Sequence, residues 1–285
     1  MLDVLLKIVV FGTIVSGIWA LVASGFTLIF GVARILNFAH GTLFVLSAYL
    51  GIILVKAGLN HYLSFLIALL LVGVIGVTIY RLFMSPIREH EVMIIIVTLA
   101  IALLVEQILL LSFGETGISF PSLVRGVVKI GNLPVPTKRI IALIIAVIAL
   151  ILLEIFINRT VTGKKINAAS QDMQMATLVG IEVEKIFMLT MFISALLAGL
   201  GGLLYSQIYA INPHVAVKSL IYAFAIVILG GLGSIRGSIV ASFIVGYILM
   251  ATVILLGARW SELVMLLTII GILIVRPSGL FGVEE

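Results

Sequence analysis

Apolar residues along this chain gather into successive runs divided by short polar breaks and two longer polar stretches. The runs cover about Val4–Phe30, a second after the break at Gly31 that reaches Val55, then Leu63–Phe83, Val92–Phe113, Ile140–Ile157, Ile186–Ile211, Leu220–Leu232, Ser238–Leu256 and Leu263–Val275. They are about 15 to 25 residues long and show no ten-residue alternation, which predicts spanning helices rather than the strands of a barrel. The expected fold class is therefore all-α: a polytopic membrane protein with about 8–9 transmembrane helices. The first run passes into further membrane sequence without a small-residue cleavage site, so it is expected to be a retained helix.

The breaks carry the finer expectations. Between Gly31 and the second run stands R-I-L-N-F-A-H-G-T, where Asn37 and His40 interrupt apolar sequence and Asn37 is expected to cap a new helix. Residues 114–139 form the first long polar stretch, and V-V-K-I-G-N-L-P-V within it predicts two short strands about a Gly131-Asn132 turn. Residues 158–185 form the second. Connections this long are uncommon unless functional or disordered, and the good helix formers near its centre predict a surface helix over about Asn167–Val179, with Asn167 or Ser170 as cap and Gly180 as stop. On pattern alone it is either a working surface or a solvated linker.

Run six carries Ala198, Gly199, Gly201 and Gly202, small residues that let helix backbones approach closely in lipid. Leu220–Leu232 and Leu263–Val275 are short for a full crossing, and the former stops at G-G-L-G-S-I-R-G. Short, glycine-broken segments point to discontinuous helices at a transport pathway. G-V-A-R-I-L-N-F-A-H-G in the first half and G-G-L-G-S-I-R-G in the second each place a polar, glycine-containing break before a helix with spaced small residues. An internal repeat or coincidence explains this equally well.

Composition agrees with the pattern: 63% of the 285 residues are hydrophobic and 10% charged, against roughly a quarter charged in soluble domains. The net charge of +5 is spread between loops, which leaves no nucleic-acid footprint. With residues 158–185 inside, the basic residues divide almost evenly between the two faces, so charge scarcely sets the orientation. The absence of cysteine excludes disulfides, thiolate metal sites and a cysteine nucleophile. His40, His61, His90 and His214 are scattered, so no metal site, cofactor or catalytic residue is expected; His40 beside Asn37 reads most simply as a structural hydrogen-bonding group. Gly163-Lys164-Lys165 lacks the rest of a phosphate-binding loop, so any nucleotide hydrolysis belongs to another chain. Glu106 is the ionisable residue deepest in a span: it either binds a cation or relays a proton, or reaches interfacial water about 10 Å of helix rise from Phe113.

Together, G-V-A-R-I-L-N-F-A-H-G-T-L-F-V-L-S-A-Y-L-G, A-A-S-Q-D-M-Q-M-A-T-L-V-G-I, L-G-G-L-G-S-I-R-G and the terminal R-P-S-G-L-F-G resemble the LivH-type permeases of branched-chain amino-acid ABC importers, over about Gly17 to Gly282. The resemblance implies one transmembrane permease domain over 1–285 in a cell inner membrane, surrounded by lipid. Its implied partners are a second homologous permease, two cytoplasmic ATPases and an extracytoplasmic binding protein. Residues 158–185 become the cytoplasmic coupling loop and 114–139 an extracytoplasmic loop. Ala168, Ala169, Gln171, Asp172, Met175, Ala176 and Gly180 would meet the ATPase, with Gln171-Asp172 standing where family members often have Glu-Asp. Asn37, Phe38, His40, Gly41, Gly230, Gly231, Gly233 and Ser234 would line or gate the substrate pathway. Leucine, isoleucine and valine are the implied cargo, with urea, amides or other amino acids as alternatives. An unrelated alternative is a stand-alone ion-coupled carrier or channel.

Overall fold

The structure is a computed structural model that describes residues 2–275 and 279–281. Among these, nine apolar helices run up and down one bundle: α1 (Leu2–Ala33), α2 (His40–Lys56), α3 (His61–Ile79), α4 (Glu91–Phe113), α5 (Thr137–Arg159), α8 (Val183–Ile208), α9 (Val215–Gly230), α10 (Ile235–Leu255) and α11 (Ser261–Val275). Two polar helices, α6 (Val161–Gln171) and α7 (Met173–Leu178), lie between α5 and α8. Six of the nine are long and apolar enough to cross a membrane; α2 and α9, with 17 and 16 residues, are shorter apolar helices. The chain is an all-α, multi-pass membrane protein.

Helix α1 is the axis. From Ile14 onward almost every side chain is buried against α5, α8, α9 and α10. Trp19 stacks on Phe44 of α2 and meets Tyr222 of α9 edge-on, which binds three helices at one level. Thr27 and Ser238 share a hydroxyl hydrogen bond of 2.5 Å between α1 and α10. Small residues close the α2–α8 seam as run six led us to expect: Ser47 donates to the Gly199 carbonyl at 2.8 Å, and a Cβ at Gly202 would collide with the Phe44 carbonyl.

The two long polar stretches occupy opposite ends of the bundle. At one end, β1 (Val127–Ile130) and β2 (Leu133–Pro136) form the expected antiparallel hairpin about Gly131-Asn132. Leu133 and Val135 pack on Ile14, so this end holds the start of α1. The other end holds α6, α7, the close of α1 and the α9–α10 turn.

Three expectations change in detail. The single surface helix over Asn167–Val179 is two helices: α6 begins earlier, capped by Thr160, whose hydroxyl accepts from the Gly163 amide at 2.9 Å. It ends at Asp172, which turns extended (φ −150°, ψ 110°) and accepts from the Gln174 and Met175 amides, each at 2.9 Å. A side chain able to cap locally competes with helix continuation, and here it wins. Gly180 does follow the end of α7 in the left-handed region, at φ 82°. Asn37 does not cap α2: its Oδ1 accepts from Ala39, and Ala39 is the N-cap without a side-chain bond. The two glycine-containing breaks also differ in form. Residues 34–39 re-enter the bundle so that α2 starts beside Val22, eleven residues before the end of α1, whereas residues 231–234 make a tight turn with Gly231 and Gly233 at φ 97° and 85°.

Candidate functional site

The polar helices α6 and α7 pack on the ends of α1, α5 and α8. Ile166, Ala169 and Ala176 face inward and are buried, while Gln171, Asp172, Met175, Leu178, Val179 and Gly180 face outward. Ala168 is half-buried. Ala169 and Ala176 pack against the bundle of this chain, and the outward face carries Met175 at 59%, Leu178 at 79% and Val179 at 77% exposure, an apolar patch beside the Asp172 carboxylate. Glu184, in the first turn of α8 where a helix dipole favours an acid, fixes the far side. It accepts from Tyr80 at 3.0 Å and Ser85 at 2.9 Å, and pairs with Arg88 at 3.2 Å. Tyr80 belongs to a π-helical turn, Tyr80–Met84, that follows α3. Glu154 near the end of α5 holds Arg236 at the start of α10 by two hydrogen bonds of 2.9 and 2.6 Å.

Helix α6 meets the glycine turn. Phe30, Gly31, Arg34, Ser170 of α6, Leu232, Gly233, Ser234 and Phe281 line one polar cavity of about 580 Å³. Ser234 caps α10 by accepting from the Gly237 amide at 3.0 Å, and Gly230 and Gly231 are buried. Leu280 and Phe281 donate their amides to the carbonyls of Leu229 and Gly230 at 2.8 and 3.1 Å, closing the last turn of α9. Of the terminal R-P-S-G-L-F-G, Arg276, Pro277, Ser278 and Gly282 lie outside the described residues.

The other break is a locked joint. His40 is fully buried, with Nε2 2.9 Å from the Val22 carbonyl and Nδ1 3.4 Å from the Ser194 hydroxyl. A carbonyl only accepts, so Nε2 carries the proton and Nδ1 accepts from Ser194. Asn37 is equally buried and donates to the Met191 sulfur; the Phe38 amide donates to Thr98 on α4 at 3.2 Å. Gly41 packs where a Cβ would strike the Ala216 carbonyl. Asn37, His40 and Gly41 thus fasten α2 to α1, α8 and α9, with Phe38 half-buried beside them. None of the four shares the cavity of Gly233 and Ser234.

At the hairpin end a second polar group was not visible in the sequence. Glu106 does not reach free interfacial water: it is 7% exposed, and its carboxylate lies 2.7 Å from Nδ1 of His214. Lys218, one turn further along α9, pairs with Glu262 of α11. His214, Lys218, Glu262, Asn212, Tyr222 and the apolar Val215, Val217, Ile221, Met265 and Leu266 line a cavity of about 410 Å³. The available signal was the i, i+4 spacing of His214 and Lys218 at the head of an otherwise apolar helix, which sets both on one face.

The fold resembles a solved structure, PsaBC from Streptococcus pneumoniae in complex with Fab, with a TM-score of 0.53 at 14% identity over 96% of this chain and 92% of that one. The high-affinity branched-chain amino acid transport system permease protein LivH of Escherichia coli strain K12 is 26% identical over 290 residues, 96% of this chain and 94% of its own length. BraD, the corresponding permease of Pseudomonas aeruginosa, is 26% identical over the same shares. The family model described as the branched-chain amino acid transport system permease component matches residues 8–273, and the chain belongs to that family.

Proposed function

We propose that this chain is the transmembrane permease subunit of an ABC importer of the inner membrane, and that leucine, isoleucine and valine delivered by an extracytoplasmic binding protein pass along it. Family membership supports the cargo and the role as a translocation pore rather than an enzyme. In this reading residues 158–185 are cytoplasmic and 114–139 extracytoplasmic, within one permease domain over 1–285. Two ATPases and a second homologous permease complete the assembly.

The observation that carries the reading is the lever formed by α6 and α7, whose outer face is apolar and whose inner end shares a cavity with the α9–α10 turn. Met175, Leu178 and Val179 would seat in an ATPase groove, Gln171 and Asp172 at its rim. A rigid surface helix pushed from outside moves the spans it is tied to as bodies. Ser170 would pass that motion to Gly233 and Ser234, and Arg236–Glu154 would carry α5 and α10 along. The gate is thus assigned to Gly230–Ser234, while Asn37–Gly41 is the fixed joint about which the spans rock.

Leu178→Glu tests the docking face. A charge buried at the centre of an interface typically costs 2 kcal/mol or more, so affinity for the ATPases is expected to fall about 30-fold or more. Co-purification and ATP-driven uptake should fail together while the bundle's thermal unfolding stays unchanged. Normal assembly of the Leu178→Glu chain would remove α7 from the interface.

A further inference from the structure

The cavity at the hairpin end is built for more than packing. Here Glu106 holds His214 against one edge of the cavity, and Lys218 of α9 and Glu262 of α11 form an ion pair on its wall. Val217 and Ile221, exposed at 46% and 43%, continue as an apolar wall with Leu266 at 44%. The buried Oδ1 of Asn212, which also lines the cavity, has no hydrogen-bond partner. Its volume of about 410 Å³ falls within the about 300–1,000 Å³ range of small-molecule sites, which are apolar with a few convergent polar groups.

We propose that this groove between α9 and α11 is a binding site for a zwitterionic aliphatic amino acid. The carboxylate lies on Lys218, with His214 at its edge; the ammonium lies on Glu262; the side chain lies against Val217, Ile221 and Leu266. The empty groove holds one cation and one anion paired with each other, and a zwitterion inserts between them by meeting each with its opposite charge, leaving the site neutral. A sugar offers neither charge and a simple ion offers one. Glu106 acts on substrate only through His214 and is a positioning residue. The inference rests on the amino-acid importer reading and adds where the cargo first meets the permease.

The cysteine-free chain makes a direct test available. Val217→Cys, or Ile221→Cys if the first fails to assemble, is placed in the complete transporter in proteoliposomes. It is then treated from the hairpin side with a membrane-impermeant methanethiosulfonate, and the modification is read on this chain by mass. The cysteine should react, and leucine or isoleucine should slow the reaction at least about fivefold as occupancy rises. Lys218→Gln and Glu262→Gln should each remove that protection without preventing labelling. A cysteine that stays unreactive in an assembled transporter, or reacts at a rate indifferent to both amino acids, overturns the site. So does protection that survives both charge removals. ATP-driven leucine uptake by the unsubstituted transporter, measured in parallel, separates the two claims: its absence refutes the importer reading, while its presence with an unprotected cysteine refutes this site alone.

Discussion

His40 is held inside the bundle by its own ring chemistry. Both ring nitrogens are spent inside the bundle, on the Val22 carbonyl and the Ser194 hydroxyl, and Phe26 meets the ring edge-on with centroids 5.5 Å apart. His40→Ala leaves a cavity and removes the side-chain hydrogen bonds to Val22 and Ser194, at a cost of about 2–4 kcal/mol. Thermal unfolding of the purified protein in detergent should show that loss as a lower Tm. The sequence supported this reading because His40 stands beside Asn37 at the start of an apolar run. Glu106 was harder to read, since its partner His214 is 108 residues away and no local period connects them. The inward turn of Ala169 and Ala176 was equally hidden, because alanine suits a helix whichever way it faces.

Local chemistry decides the elements, and it was legible wherever only one outcome was open to it. Gly131-Asn132 between two β-prone segments made its hairpin as expected. The lever was read as one helix because Asp172 is tolerable inside a helix and good as a cap, and only the fold selects the second role. Asp172→Ala removes both capping bonds of α7 and should cost about 1 kcal/mol, seen as about fivefold faster amide exchange at Gln174 and Met175. At the α2–α8 seam, a methyl at Gly202 must displace the Phe44 backbone. Gly202→Ala should destabilise the bundle by about 1–3 kcal/mol, measured by the same thermal unfolding, and a neutral result would mean that the two helices are free to separate.

For the whole molecule, the run pattern held nearly the full architecture, since nine apolar segments became nine apolar helices among the described residues, in the order expected. What it could not hold was the arrangement of ends: α2 begins inside the bundle, α6 shares a cavity with the glycine turn, and the Glu106–His214 contact joins α4 to the start of α9 while Lys218–Glu262 joins α9 to α11. Those contacts join residues far apart in sequence, and packing alone creates them. They place the cavity of the glycine turn and the cavity lined by Lys218 and Glu262 at opposite ends of the bundle. The most direct test is leucine uptake into proteoliposomes, with either ATP or an imposed ion gradient as the sole energy source. Uptake should require ATP together with the ATPases, the second permease and the binding protein; gradient-driven uptake by this chain alone would contradict the importer assignment and return Glu106 to the centre of the mechanism.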